Sequence, residues 1–179
     1  MRLRQGFAIA SLAALAGAGV AVATTVPDVV CKPPRLAFVD RFAHATGEQL
    51  EVTKEGMDYV FRNPSGMVRN PNSDKGCDEN FNTEFHCPVA GVERLTLRLN
   101  GATDTAQIDL GSKADVVRQR VLAGVGGDTI LPGPGRQRIF GEDDNDILRG
   151  GGGDDFIDGG GGEDDCEGGP GDDTIVNCE

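Results

Sequence analysis

Three nonapeptides follow one another without a break over residues 150–176, reading GGGGDDFID, GGGGEDDCE and GGPGDDTIV. Each has glycine at positions one, two and four, aspartate at position six and an apolar residue or cysteine at position eight. The glycines are Gly150, Gly151 and Gly153, then Gly159, Gly160 and Gly162, then Gly168, Gly169 and Gly171; the aspartates are Asp155, Asp164 and Asp173. A fourth unit, GEDDNDILR over 141–149, keeps Gly141, Asp146 and Leu148 but has Glu142 and Asp144 where the pattern has glycine. Carboxylates and backbone carbonyls are what a hard cation such as calcium takes, about six to eight oxygens at ~2.3–2.6 Å. Consecutive carbonyls can aim at one point only where the backbone turns tightly, and glycine enters such turns without a Cβ clash. A GGxGxD segment therefore turns on its glycines and adds one charged ligand with its aspartate. The three residues after it form a short strand whose middle side chain anchors the turn to a core.

The position-eight residue recurs well before the complete units. Val121, Ile130, Ile139, Leu148, Ile157, Cys166 and Ile175 stand at a constant spacing of nine. Asp128, Asp146, Asp155, Asp164 and Asp173 hold the matching acidic position, with Gln119 and Gln137 as neutral exceptions. Two looser echoes precede them, Asp104 followed by Ala106 and Asp115 followed by Val117. A Gly/Asp-rich composition alone is that of a solvated tail. Such a tail has no reason to place an apolar residue at every ninth position, whereas a coil of two nonapeptides does.

The pattern resembles the RTX, or hemolysin-type, calcium-binding nonapeptide-repeat family. That resemblance implies a parallel β-roll in which each turn of the coil contains two nonapeptides and ions lie between loops stacked 18 residues apart, as Asp155 and Asp173 are. It implies several Ca2+ ions, held by Asp146, Asp155, Asp164 and Asp173, then Asp128, with the loop glycines named above as carbonyl donors. Asp155 then shares an ion with the 168–173 loop, and Asp146 with the 159–164 loop. Asp128 with the 124–127 loop forms a third site, and the pairing of Gln137 with Asp155 lacks one carboxylate. In the Asp146 unit, Glu142 and Asp144 stand where the family motif has glycine and so add charge but strain the turn. Asp143, Asp154, Asp165 and Asp172 are read as solvated loop residues. Residues 24–99 are similar to the N-terminal portions of small secreted actinobacterial calcium-binding proteins.

Charge placement agrees with a cation partner. The formal net charge is −12, and from Gly124 onward 15 acidic residues face three basic ones while the remainder balances. This excludes nucleic acid and anionic membrane surfaces as expected partners. Residues 1–23 read as a secretory signal, with Arg2 and Arg4, an Ala-rich apolar run and Ala21-Val22-Ala23 as the cleavage site. The mature chain is then extracellular with no membrane span, the alternative being a retained anchor. A signal at the front also departs from the C-terminal signal of RTX toxins. Cys77 with Cys87 and Cys166 with Cys178 are the expected disulfides, and Cys31 is either free or competes with the first pair.

The elements that must position the loops are strands. Residues 24–45, with three prolines, read as a linker or irregular arm, and 46–113 as a small β region with degenerate repeats. Within it, 49–53 and 57–62 form a hairpin around Lys54-Glu55-Gly56, 63–76 forms an exposed loop, and Leu95, Leu97 and Leu99 share one strand face. Residues 114–179 form the roll, and the whole is all-β. His44 and His86 read as surface or loop residues, and HExxH, GxSxG and GxxxxGK are all absent. The chain is therefore expected to be a secreted calcium-binding protein and not an enzyme. The alternative is a calcium-stabilised cell-surface or interaction module that presents its N-terminal β region to a partner.

Overall fold

The computed structural model describes residues 28–32, 35–39, 47, 49–64, 79–80, 84–111 and 117–179. The expected signal, His44, Cys77, Asp115 and most of the 63–76 loop lie outside them. Strands, numbered along the chain, fall into two sheets, and no α-helix occurs among the described residues. One sheet has the order β1 (Asp28–Lys32), β2 (Arg35–Val39), β7 (Arg94–Gly101), β9 (Arg118–Val125), β11 (Gln137–Asp143), β13 (Phe156–Gly161) and β15 (Thr174–Val176). The other has the order β14 (Asp165–Glu167), β12 (Ile147–Arg149), β10 (Thr129–Pro132), β8 (Thr105–Asp109), β3 (Gln49–Glu55), β4 (Asp58–Arg62), β6 (Glu84–Pro88) and β5 (Glu79–Asn80).

From β7 onward the chain alternates between the two sheets, and each strand pairs in parallel with the strand two places later. Val121, Ile139, Ile157 and Ile175 are in register across one sheet, and Ile130, Leu148 and Cys166 across the other. The period of nine thus becomes two stacked sheets with an 18-residue coil. Val121, Ile130, Ile139, Leu148 and Ile157 are fully buried between the sheets, each contributing about 1.5–3 kcal/mol of apolar burial. Ile175 departs from the register's promise, being 42% exposed. β15 stands last in its sheet and pairs only with β13 among the described strands. Cys166, half-buried at the same end, is bonded to Cys178, as expected. Cys87 is also disulfide-bonded, but the expected partner Cys77 lies outside the described residues.

The earlier strands continue the same sheets. β3 and β4 form the expected antiparallel hairpin, with a turn that places Met57 at its exposed tip rather than in a strand. Tyr59 and Phe61 are buried, and so is Val60 between them. β3 then pairs in parallel with β8, setting Leu50 against Ala106 and Val52 against Ile108. β7 pairs with β9 at a 24-residue offset, Leu97 against Val121. The inward residues Leu95, Leu97 and Leu99 are all buried. Asn63, read as part of an exposed loop, is buried. The stretch 24–45, read as an irregular arm, contains two strands. β1 and β2 pair antiparallel, and β2 pairs in parallel with β7, which otherwise ends the sheet with open backbone groups. Among the described residues no helix is long and apolar enough to cross a membrane.

A candidate cation site between stacked loops

Because the coil alternates between sheets, the loops form two stacks on opposite sides. The first stack links the seven-stranded sheet to the eight-stranded one and places Asp104, Asp128, Asp146 and Asp164 above one another. Asp104 N–H donates to Asp128 Oδ1 at 2.7 Å, Asp128 N–H to Asp146 Oδ1 at 2.8 Å, and Asp146 N–H to Asp164 Oδ1 at 2.9 Å. The second stack links the sheets in the other direction. There Gln137 N–H donates to Asp155 Oδ1 at 2.8 Å and Asp155 N–H to Asp173 Oδ1 at 2.9 Å. Main-chain bonds run in parallel, the N–H of position seven donating to the position-six carbonyl one coil earlier, as from Ile147 to Asp128 and Thr174 to Asp155, both at 2.8 Å.

Each glycine position has its own cause. Positions two and four lie at positive φ, 89° and 117° at Gly151 and Gly153, and would set a Cβ against a carbonyl of the loop below. Glu142 and Asp144 adopt the same backbone at φ 82° and 76°, which costs a side chain ~1–2 kcal/mol. The expected strain is therefore present. Asp144 offsets it by accepting the Gly126 N–H at 3.0 Å. Position one is glycine for a different reason. A Cβ on Gly141 would collide with Asp146 Oδ2 and the Gly159 carbonyl. Gly150 stands likewise against Asp155 Oδ2 and the Gly168 carbonyl, Gly159 against Asp164 Oδ2 and the Asn177 carbonyl, and Gly168 against Asp173 Oδ2. Position three is open, with no atom within 4 Å of a Cβ on Gly152, so any residue fits there.

Asp128, Asp146, Asp155 and Asp164 are buried and Asp173 is half-buried, and the second oxygens of the first four are left over. Oδ2 of Asp128, Asp146, Asp155 and Asp164 is buried without a hydrogen-bond partner. Burial pushes the Asp128 carboxyl up to about 7 and those of Asp146 and Asp155 up to about 6, and neighbouring carboxylates push in the same direction. The oxygens crowded around the position-one glycines are carboxylates and carbonyls, which is the donor set of a hard cation. Among the described residues no three His, Cys, Asp or Glu side chains converge as a metal cluster. The carboxylates stand in single file, so carbonyls must supply the balance of any ligand set.

The structure also sorts the remaining residues. Gln119 and Gln137, both buried, lie in register in the second stack. The Gln137 amide donates back to the Gly133 carbonyl at 3.0 Å. The residues at position one in earlier units are Ala123 and Pro132, where glycine is absent. Asp104 belongs to the first stack although its spacing to Asp128 is 24, not 18. Its only signal in the sequence is the Asp-x-apolar echo. Asp154 and Asp165 are exposed as expected but have partners. Asp154 accepts from the Asp172 N–H and pairs with Arg136, and Asp165 pairs with Arg149. His86, read as a surface or loop residue, is half-buried on β6 and pairs with Glu84, which also binds Arg62.

No curated protein and no solved structure matches the chain. The family model of the RTX calcium-binding nonapeptide repeat matches residues 140–175. This is the segment in which position one is glycine on both sides of the stack, from Gly141 to Gly168. The C-terminal part of the chain is thus a run of four RTX calcium-binding nonapeptide repeats.

Proposed function

We propose that the chain is a secreted, non-enzymatic calcium-binding protein whose C-terminal repeats form a β-roll with several Ca2+ ions between stacked loops. The observation that carries this reading is the row of buried carboxylate oxygens on Asp128, Asp146, Asp155 and Asp164 that accept no hydrogen bond. A buried acceptor left unsatisfied costs ~1–3 kcal/mol, more if charged, and a divalent cation relieves that cost. Asp146 with Asp164, Asp128 with Asp146, and Asp155 with Asp173 would each hold an ion together with carbonyls of their loops. When bound, calcium neutralises carboxylates that otherwise repel, so binding adds to folding free energy. Affinities of extracellular calcium modules, about 10⁻⁴–10⁻³ M, leave such a segment loose where calcium is scarce and folded after export. The basic start and apolar run of residues 1–23 support export.

Calorimetry and circular dichroism of residues 24–179, with calcium and with chelator, test the proposal. The expected result is calcium uptake with a gain of β signal. No heat and identical spectra would remove it. An Asp155→Ala/Asp173→Ala variant should bind fewer ions, and unchanged stoichiometry would mean that these two loops share none.

A further inference from the structure

We propose that the outer face of the seven-stranded sheet binds an acidic polysaccharide lying along the stack. Strand register sets Arg94 beside Arg118, Thr96 beside Arg120, Arg138 and Phe156, and Arg98 beside Leu122 and Phe140. Arg94, Arg98, Arg118, Arg120 and Arg138 are all exposed. Among the described residues none of these five pairs with a carboxylate; the arginines that do are Arg62, Arg136 and Arg149. This is an uncompensated basic strip in a chain of net charge −12. The outer face of the other sheet differs in that its arginines are paired: Arg149 with Asp165 and Glu167, and Arg62, in register with Glu51, with Glu55 and Glu84.

The strip is built to present guanidinium groups. Parallel strands lie ~4.8 Å apart and alternate residues ~6.6 Å apart along a strand, so the arginines form a flat lattice. Arg120 lies 4.9 Å from the centre of the Phe140 ring, and Arg138 lies 5.1 Å from Phe156 and 5.9 Å from Phe140. The two rings are 5.7 Å apart. Stacking on a ring covers one guanidinium face and leaves the N–H edge for two-pronged contact with a carboxylate or sulfate. The lattice crosses β7, β9 and β11 along the stack axis, with the acidic loops of the first stack at the C-terminal ends of these strands. A thin linear polyanion runs clear of those loops, whereas a broad anionic surface meets them. A bilayer is disfavoured further because, among the described side chains of this sheet, the exposed large aliphatic residues are few, Val125 at the end of β9 and Ile175 and Val176 on β15. Single-stranded nucleic acid needs free aromatic platforms, and here guanidinium groups cover the rings.

The test is binding of the calcium-loaded chain to heparin and to hyaluronan, with Arg120→Gln/Arg138→Gln compared against Arg149→Gln on the opposite sheet. Binding to at least one polysaccharide is expected. The double variant should weaken it by about tenfold or more, and the control by less than about twofold. If the double variant loses its calcium-loaded dichroism spectrum, Arg94→Gln/Arg98→Gln, which touches neither ring, replaces it with the same expected loss. The proposal is overturned if neither polysaccharide binds or if the variant and control weaken equally. It is also overturned if anionic vesicles or oligothymidine bind more tightly, or if the double variant instead abolishes self-association.

Discussion

On one side of the stack Asp104, Asp128, Asp146 and Asp164 follow one another, while on the other the same position is held by Gln119, Gln137, Asp155 and Asp173. Both glutamines fall on one side because successive nonapeptides alternate sides. The first side is a continuous file of carboxylates, and the second is acidic only in its last two coils. The difference separates two tasks that the aspartate performs. Oδ1 holds the neighbouring coil by accepting its N–H, and Oδ2 accepts no hydrogen bond, which under the proposed function is the oxygen offered to a cation. The first task extends down to Asp104, past the point where glycine disappears from position one. The close approach of Oδ2 to a position-one glycine begins only at Gly141.

The largest effect is expected from Asp146→Ala, which removes a carboxylate shared by two loop interfaces and orphans the Asp128 N–H. Loss of that charged hydrogen bond costs about 1.5–3 kcal/mol before any loss of calcium. Calorimetry should show fewer ions bound than in Asp173→Ala, whose carboxylate serves one interface. Equal losses would break the contrast between the middle and the end of a stack.

Next in size is the pH response. In chelator, the folded carboxyls of Asp128, Asp146 and Asp155 titrate at about 7, 6 and 6, against ~3.9 when unfolded. The folded state therefore binds more protons, so the stability these groups contribute is full below pH ~4 and lost as pH rises through ~6–7. Calcium competes with those protons, so its affinity should rise over the same interval. Denaturant titrations at pH 4, 5.5 and 7.5 measure the first trend and calorimetry the second. Asp155→Asn should retain most of both, since two of the three groups lie on the first side.

Gln137→Asp should carry the acidic file one coil further on the second side. It is expected to raise the melting temperature in calcium and lower it in chelator. A fall in both would show that Pro132 at position one bars the site. The smallest change is expected from Glu142→Gly, which relieves a side chain at φ 82° and should stabilise the chain by ~1 kcal/mol. That gain is measurable by denaturant midpoint with calcium present.

Much of the C-terminal half was legible from spacing alone. The apolar residues at every ninth position carried the register of β9 to β15, and arithmetic at 18 paired Asp155 with Asp173 and Asp146 with Asp164. What spacing missed was set by contacts outside the period. Asp104 is displaced by extra residues between β8 and β9, so its place rests on a hydrogen bond rather than a count. β1 and β2 were obscured by prolines that read as linker, although the open side of β7 gives their backbone a partner. Ile175 keeps the period but not the burial, because a buried position needs a coil on each side. Ala123 and Pro132 were in plain view, but their meaning depends on how close Oδ2 comes to the α-carbon of position one.

Alternation of sides gives the stack a parity. Inserting or deleting one nonapeptide would transfer every later aspartate to the opposite side, laying glutamine under aspartate and breaking the file at the join. A change of 18 residues leaves the frame intact, since each side gains or loses one loop. Growth or shortening of this part of the molecule is therefore quantised in whole coils, and a single repeat is not a unit that it can exchange freely.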